Sequence, residues 1–284
     1  MNKRPEALVL TGYGINCDYE TLHACALAGF TATRMHLNDL VAESSSPACR
    51  RGTLFRQKLV VFPGGFSYGD DLGSGVAFAS KIRYSGSGEQ PRIYDTFMEY
   101  IHRGGLVLGI CNGFQILVRM GLVPALDGRC GAQEVTLAPN REGYFINRWV
   151  RLRVEEGSPN VFTRGMKPFM LPARHGEGRF LPKDGVVMSR IEGGRLVCLR
   201  YCGGDGEPTM EFPQNPNGST GAVAGICDGT GRVFGLMPHP EAAVSLYQYP
   251  DWTRRREEGS RKGRALSEEG EGLMIFKNAF EHVV

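Results

Sequence analysis

Cys111 lies in Gly109-Ile110-Cys111-Asn112-Gly113, and what flanks that stretch gives it meaning. Before it runs Leu106-Val107-Leu108, which reads as a buried strand. After it runs Phe114-Gln115-Ile116-Leu117-Val118-Arg119-Met120, apolar at helical spacing and ended by Gly121. A strand, a tight Gly-x-Cys-x-Gly turn and a helix form the thiol version of a nucleophile elbow. The glycines let the backbone turn sharply and leave room around the sulfur, and a helix N-terminus favours an anion there. A buried, inert cysteine is the plain alternative, and a partner base decides between the two.

That partner is His239, in Gly235-Leu236-Met237-Pro238-His239-Pro240-Glu241 after the strand-like Arg232-Val233-Phe234. The flanking prolines stiffen the segment and bias it to extended backbone. Glu241, two residues on, then projects to the same side as His239, as a carboxylate must to orient an imidazole that deprotonates a thiol. A third element follows the apolar run 58–62. Pro63-Gly64-Gly65-Phe66-Ser67-Tyr68-Gly69-Asp70 has consecutive glycines at a strand end, where Gly64 and Gly65 can aim backbone N–H groups at a developing oxyanion. The amide of Asn112 is the expected second donor. Standing alone, the same glycines would read as an ordinary turn.

With these pieces in order, the chain resembles the class I (triad) glutamine amidotransferases. Within them it is most similar to the glutaminase-subunit family of phosphoribosylformylglycinamidine synthase. The resemblance rests on Pro63 through Asp70 and on Gly109 to Gln115. To these add Gly14-Ile15-Asn16-Cys17-Asp18, Arg148-Trp149, His175-Gly176-Glu177-Gly178, Asn215-Pro216-Asn217-Gly218-Ser219 and Pro238-His239-Pro240-Glu241, all in the family's order. It implies Cys111 as nucleophile, His239 as base and Glu241 as its orienting group. Gln115 would help hold the substrate, while Gly64, Gly65 and the Asn112 amide would supply oxyanion and substrate-binding backbone. His175, Glu177 and the 215–219 turn match family motifs without individual roles. One departure is Ala242, where the family often has Arg. The resemblance further implies a separate ATP- and Mg-dependent synthetase that uses the released ammonia, converting phosphoribosylformylglycinamide to the amidine, and a small bridging subunit. This chain would itself carry no cofactor and no metal.

The surrounding elements must place these groups together. Strands are expected at 7–10, 31–35, 58–62 and 106–108, with helices at 19–28, 94–103 and after Cys111. That alternation predicts an α/β fold, a doubly wound, mostly parallel sheet of the flavodoxin type. Both the Gly64-Gly65 loop and the Cys111 elbow then follow strand C-terminal ends, where such sheets keep their sites. Short strands at 149–154, 186–189 and 196–201 imply an antiparallel extension. Segments 42–52, 84–92 and 253–270 read as polar loops, the last as mobile or a partner contact. The length admits one large or two small domains, and the resemblance implies a single amidotransferase domain over 1–284.

Composition narrows the function. Lys+Arg 33 against Asp+Glu 30 gives +3 with no basic block, so nucleic-acid binding is not indicated. The apolar run after Arg4 is too short for a signal peptide, and no run is long enough for a membrane span. Eight cysteines without a CxxC pair point to reduced thiols and a cytoplasmic protein. Cys198 and Cys202 lack nearby partners for a metal. There is no Gly-x-x-x-x-Gly-Lys-Ser/Thr phosphate loop. A stand-alone thiol hydrolase of the same fold is the alternative, but it would need neither Gln115 nor the 66–70 loop. A catalytically dead interaction subunit would have lost Cys111 or His239.

Overall fold

A computed structural model of the chain describes residues 4–44, 52–85, 92–263 and 267–284. The first half alternates as expected. Strand β1 (Glu6–Thr11), helix α1 (Asp18–Ala28), β2 (Thr31–His36) and α2 (Leu37–Ser44) come first. The single turn α3 (Thr53–Arg56), β3 (Gln57–Phe62), α4 (Val76–Tyr84) and α5 (Ile93–His102) follow, and then β4 (Leu106–Ile110) and α6 (Asn112–Arg119). β4 is buried at every position, as a strand covered on both faces must be. Thr21, Ala24, Cys25 and Ala28 make the buried stripe of α1, and α1 packs against the C-terminal helix α9 (Leu273–Val283).

The second half supplies β5 (Val135–Pro139), β6 (Ile146–Val154), β7 (Phe169–His175), β8 (Glu177–Pro182), α7 (Gly185–Gly193), β9 (Val197–Tyr201), β10 (Val223–Cys227), β11 (Val233–Leu236) and α8 (Trp252–Arg261). Nine strands form one sheet in the order β2-β1-β3-β4-β11-β10-β9-β6-β7. The first five are mutually parallel. From β10 onward each strand is antiparallel to its neighbours. β5 and β8 make a separate antiparallel ribbon, and helices cover both faces of the main sheet. The antiparallel extension therefore continues the main sheet and also adds this small ribbon.

Two local expectations are corrected. Residues 186–189 are helical, inside α7: the Asp184 carboxylate caps the helix by accepting from Val187 N at 2.8 Å, and Val187 and Ile191 are buried at helical spacing. Residues 253–261 are likewise helical rather than loop. Asp251 pairs with Arg255 at 2.8 Å, and Arg261 with Glu257 at 2.9 Å, each one helical turn apart. Of the three expected loops, 45–51, 86–91 and 264–266 lie outside the described residues. Among the described residues no helix is long and apolar enough to cross a membrane.

Helix α6 can sit where it does only because Gly113 has no side chain: a Cβ there would lie 1.8 Å from the Phe62 carbonyl oxygen at the end of β3. Gly113→Ala should therefore push α6 off the sheet and cost about 2–3 kcal/mol. Urea denaturation checks this, and an unshifted midpoint would show that β3 yields without cost.

Candidate active site

The elbow is built from backbone strain held by backbone hydrogen bonds. Cys111 has φ 52° and ψ −107°, a conformation that costs a non-glycine residue about 1–3 kcal/mol and persists only where its surroundings enforce it. Its N–H donates to Leu236 O at 2.8 Å, and its carbonyl accepts from Gln115 N at 3.1 Å, starting α6. Cys111 is 6 % exposed, and its S–H is directed at the Arg174 carbonyl, 3.6 Å away on β7.

The base arrives on the neighbouring strand. β11 runs parallel to β4 with Leu236 opposite Ile110, so the chain leaves both strands at the same edge. His239 is fixed there by its own N–H, which donates to Pro172 O at 2.8 Å. Glu241 does not reach it along an extended strand, as the sequence suggested. Pro240 instead opens a short 3-10 turn, which brings Glu241 Oε1 to 2.5 Å from His239 Nδ1. Both side chains are buried. The ring's other nitrogen, Nε2, has no hydrogen-bond partner, which leaves it available to a thiol or a reacting atom. Burial alone would lower the imidazole pKa. The Glu241 carboxylate and the Cys111 sulfur outweigh it and hold His239 well above its ordinary range.

A second imidazole shares the wall in the opposite state. His175 Nδ1 lies 3.0 Å from Asn140 Oδ1, and Asn140 Nδ2 donates to His175 O and Tyr144 O. Burial, reinforced by the nearby His239 charge, pushes His175 down to about 3, so it is neutral across the physiological range. Gly178 must be glycine because a Cβ there would lie 2.6 Å from the His175 ring. The Asn215 to Ser219 turn proves to be scaffolding for this wall. Asn217 Nδ2 donates to Gly178 O at 2.9 Å, and Ser219 Oγ accepts from Phe180 N at 3.0 Å.

These groups surround a cavity of about 270 Å³, which Cys111, His239, Gln115, Gly65, His175 and Glu177 line. Gln115 is buried and doubly committed: its Nε2 donates to Glu177 O at 2.6 Å, and its Oε1 accepts from Asn112 Nδ2 at 3.1 Å. Asn112 Nδ2 also donates to Asp70 Oδ1 at 3.2 Å, and Ser74 Oγ donates to Asp70 Oδ2 at 3.0 Å. Thus the elbow helix, the glycine loop and the β7–β8 corner are clamped together. Gly64 and Gly65 differ in what they do. Gly65 faces the cavity. Gly64 lies behind it, where a Cβ would sit 2.8 Å from His239 Cε1.

The sequence brought Cys111, His239, Glu241, Gly65, Asn112 and Gln115 to this one place. It did not disclose Cys17, whose sulfur lies 4.0 Å from His239 Nδ1. Nor did it disclose Arg174, Ser74, Glu20 and Phe145, which also line the cavity. The Gly14 to Asp18 motif was the available signal for Cys17, but nothing local tied it to a histidine so far along the chain.

Comparison with known proteins gives a consistent pattern. Residues 4–283 match the model of the CobB/CobQ-like glutamine amidotransferase domain. The chain is 40 % identical over 280 residues to phosphoribosylformylglycinamidine synthase subunit PurQ of Methanococcus maripaludis strain S2, covering 98 % of this chain and 97 % of that one. It is 38 % identical to the Dehalococcoides mccartyi protein of the same name, covering 96 % of each. Among solved structures it is similar to a chain of PurLQS from Thermotoga maritima, with TM-score 0.67, 28 % identity, and coverage of 99 % of this chain and 100 % of that one.

The contrast between the two imidazoles has a measurable sign. His175 titrates near 6.5 when unfolded and at about 3 when folded. The unfolded chain therefore takes up its proton first, and folding stability falls as pH drops from 6.5 towards 3, by about 1.4 kcal/mol per pH unit from this residue. His239 acts in reverse: its stabilisation is present at acid and neutral pH and fades only as pH rises through its raised value. His175→Gln should flatten the acid limb, retaining about 2–3 kcal/mol more of its own pH 7 stability at pH 4.5 than the native chain does. Denaturant titrations at the two pH values measure this, and parallel pH slopes would assign the acid sensitivity to other groups.

Proposed function

The chain belongs to the CobB/CobQ-like glutamine amidotransferase family, and on that footing we propose that it is the glutaminase subunit of a phosphoribosylformylglycinamidine synthase, with Cys111, His239 and Glu241 as its catalytic triad. One observation carries the reading. A strained cysteine at the tip of β4 and a carboxylate-bound histidine beyond the tip of β11 meet at one edge of adjacent parallel strands.

The geometry suits amide hydrolysis. The Cys111 thiolate adds to the side-chain amide carbonyl of glutamine, giving a tetrahedral intermediate. The amides of Gly65 and Asn112 are the proposed donors to its oxyanion, with Gly64 keeping the space that His239 occupies. His239, held protonated by Glu241, gives its proton to the departing ammonia and leaves a glutamyl thioester. Water, activated by the now neutral imidazole, attacks that thioester and releases glutamate. The Gln115 clamp fixes the cavity floor for the amino-acid part of the substrate.

The ammonia is passed to a synthetase partner, which converts phosphoribosylformylglycinamide to phosphoribosylformylglycinamidine in de novo purine biosynthesis. ATP and Mg belong to that partner, a small bridging subunit joins the two, and the assembly works in the cytoplasm. The names of the relatives support the synthetase and purine steps.

Two variants test the assignment. Cys111→Ala should abolish glutamine-dependent amidation by the reconstituted complex while sparing amidation from added ammonia, because only hydrolysis needs the thiolate. Equal loss of both in an assembled complex would sink the triad. Glu241→Gln should leave the fold intact and lower glutaminase kcat by about 10²- to 10⁴-fold, since a neutral amide no longer stabilises the imidazolium. An unchanged kcat would make the carboxylate merely structural.

A further inference from the structure

Hydrolysis uses one sulfur, yet a second lies on the far side of the same imidazole. Cys17 Sγ is 4.0 Å from His239 Nδ1, the nitrogen that faces Glu241 and not the one left open for proton transfer. One ligand atom each from Cys17, His239 and Glu241 lies within 4.8 Å of the others. Glu241 Oε2 is buried without a hydrogen-bond partner. The backbone holds Cys17 in place, its N–H donating to Gly64 O at 3.2 Å. Its half-buried side chain lines the cavity, so the cluster is reachable from solvent. A thiol, an imidazole nitrogen and a carboxylate converging on one point are the donor set that zinc selects.

We propose that Cys17, His239 Nδ1 and Glu241 form an inhibitory binding site for a thiophilic divalent cation, Zn²⁺ above all. With metal–sulfur near 2.3 Å and metal–nitrogen and metal–oxygen near 2.0–2.2 Å, tetrahedral ligands stand roughly 3.3–3.7 Å apart. Cys17 Sγ need move only a few tenths of an ångström toward the ring. The Glu241 carboxylate must swing slightly away from Nδ1, and its second oxygen is free to take up the bond. Binding releases the Cys17 thiol proton and the Nδ1 proton, with no change of oxidation state. A ring metallated at Nδ1 cannot become the imidazolium that protonates the leaving ammonia. Occupancy therefore stops hydrolysis without touching Cys111. The inhibitory half of the proposal rests on His239 acting as the base; the binding half does not.

Cadmium, a softer probe of the same geometry, reads binding through its thiolate-to-metal ultraviolet absorption. In the full chain carrying Cys111→Ser, a titration should reach one tight Cd²⁺ with this band, and adding Cys17→Ser should remove it. Cys17→Val, which fills a similar volume, guards against a folding defect in the serine variant. In the reconstituted complex, Zn²⁺ should inhibit glutamine-dependent amidation, spare ammonia-dependent amidation, and be reversed by a zinc-selective chelator in excess Mg²⁺. Even an outer partner of a metal ligand is worth roughly 10–100-fold in affinity, so either Cys17 variant should raise the half-inhibitory zinc concentration about 100-fold or more. A band and inhibition that survive loss of Cys17, or a band already absent from the chain carrying Cys111→Ser alone, would overturn the site and leave Cys17 as packing against the ring. If the band depends on Cys17 but glutamine hydrolysis proves unaffected by Cys111→Ala, the metal site stands and the triad reading falls.

Discussion

The hydrogen bond from the Cys111 amide to the Leu236 carbonyl, 2.8 Å long, is where two distant parts of the chain become one site. It extends the parallel ladder in which Gly109 faces Gly235 and Ile110 faces Leu236. In a ladder of period two, a slip of one residue would send side chains to the opposite face and separate the thiol from the imidazole. The paired glycines protect that register. A Cβ at Gly235 would lie 2.0 Å from the Phe114 ring, and one at Gly109 would lie 2.7 Å from Leu117. The elbow helix can thus rest directly on the two strands whose ends lead to Cys111 and His239. The strain in Cys111 is held by this buried, hydrogen-bonded backbone, as a strained residue requires.

The same wall shows how one residue type can be set to two charge states. His239 and His175 are both buried. A carboxylate faces one and a carboxamide faces the other. Desolvation pushes both towards neutrality, and at His239 the Glu241 carboxylate, aided by the Cys111 sulfur, reverses it. Charging His239 then makes a second cation beside it more costly, so the two states reinforce each other.

Much of this was legible in the chain because it is local. β1, β3, β4 and α6 announce themselves as short apolar runs joined by glycine turns, and the Cys111 and His239–Glu241 motifs sit at their ends. What was hidden depends on non-local packing. β7, β8 and β10 lie where sequence context is Pro-, Gly- and Arg-rich, and their strand character comes from pairing with neighbours. Residues 186–189 carry β-branched valines that suggest a strand, but the Asp184 cap and the Val187–Ile191 spacing decide for helix. In 252–261 the charges that suggested a loop instead pair across helical turns. Cys17 was invisible as a neighbour of His239 because long-range backbone bonds, Cys17 N–H to Gly64 O and Phe66 N–H to Gly14 O among them, carry the N-terminal turn into the site.

The cavity is rigid on one side and open on the other. Its inner wall is main chain or side chains committed on both ends: Gly65, the Asn112–Gln115–Glu177 clamp, and Asp70 within a run of left-handed residues from Tyr68 to Asp70. Its mouth is framed by the rings of Phe66 and Phe145, 6.2 Å apart and roughly half exposed. Few constraints bear on those two rings beyond each other and solvent. Descent with modification can therefore act unequally on the two sides. A change at the mouth can retune which molecule enters or which surface closes over it without disturbing the bonded interior around Cys111.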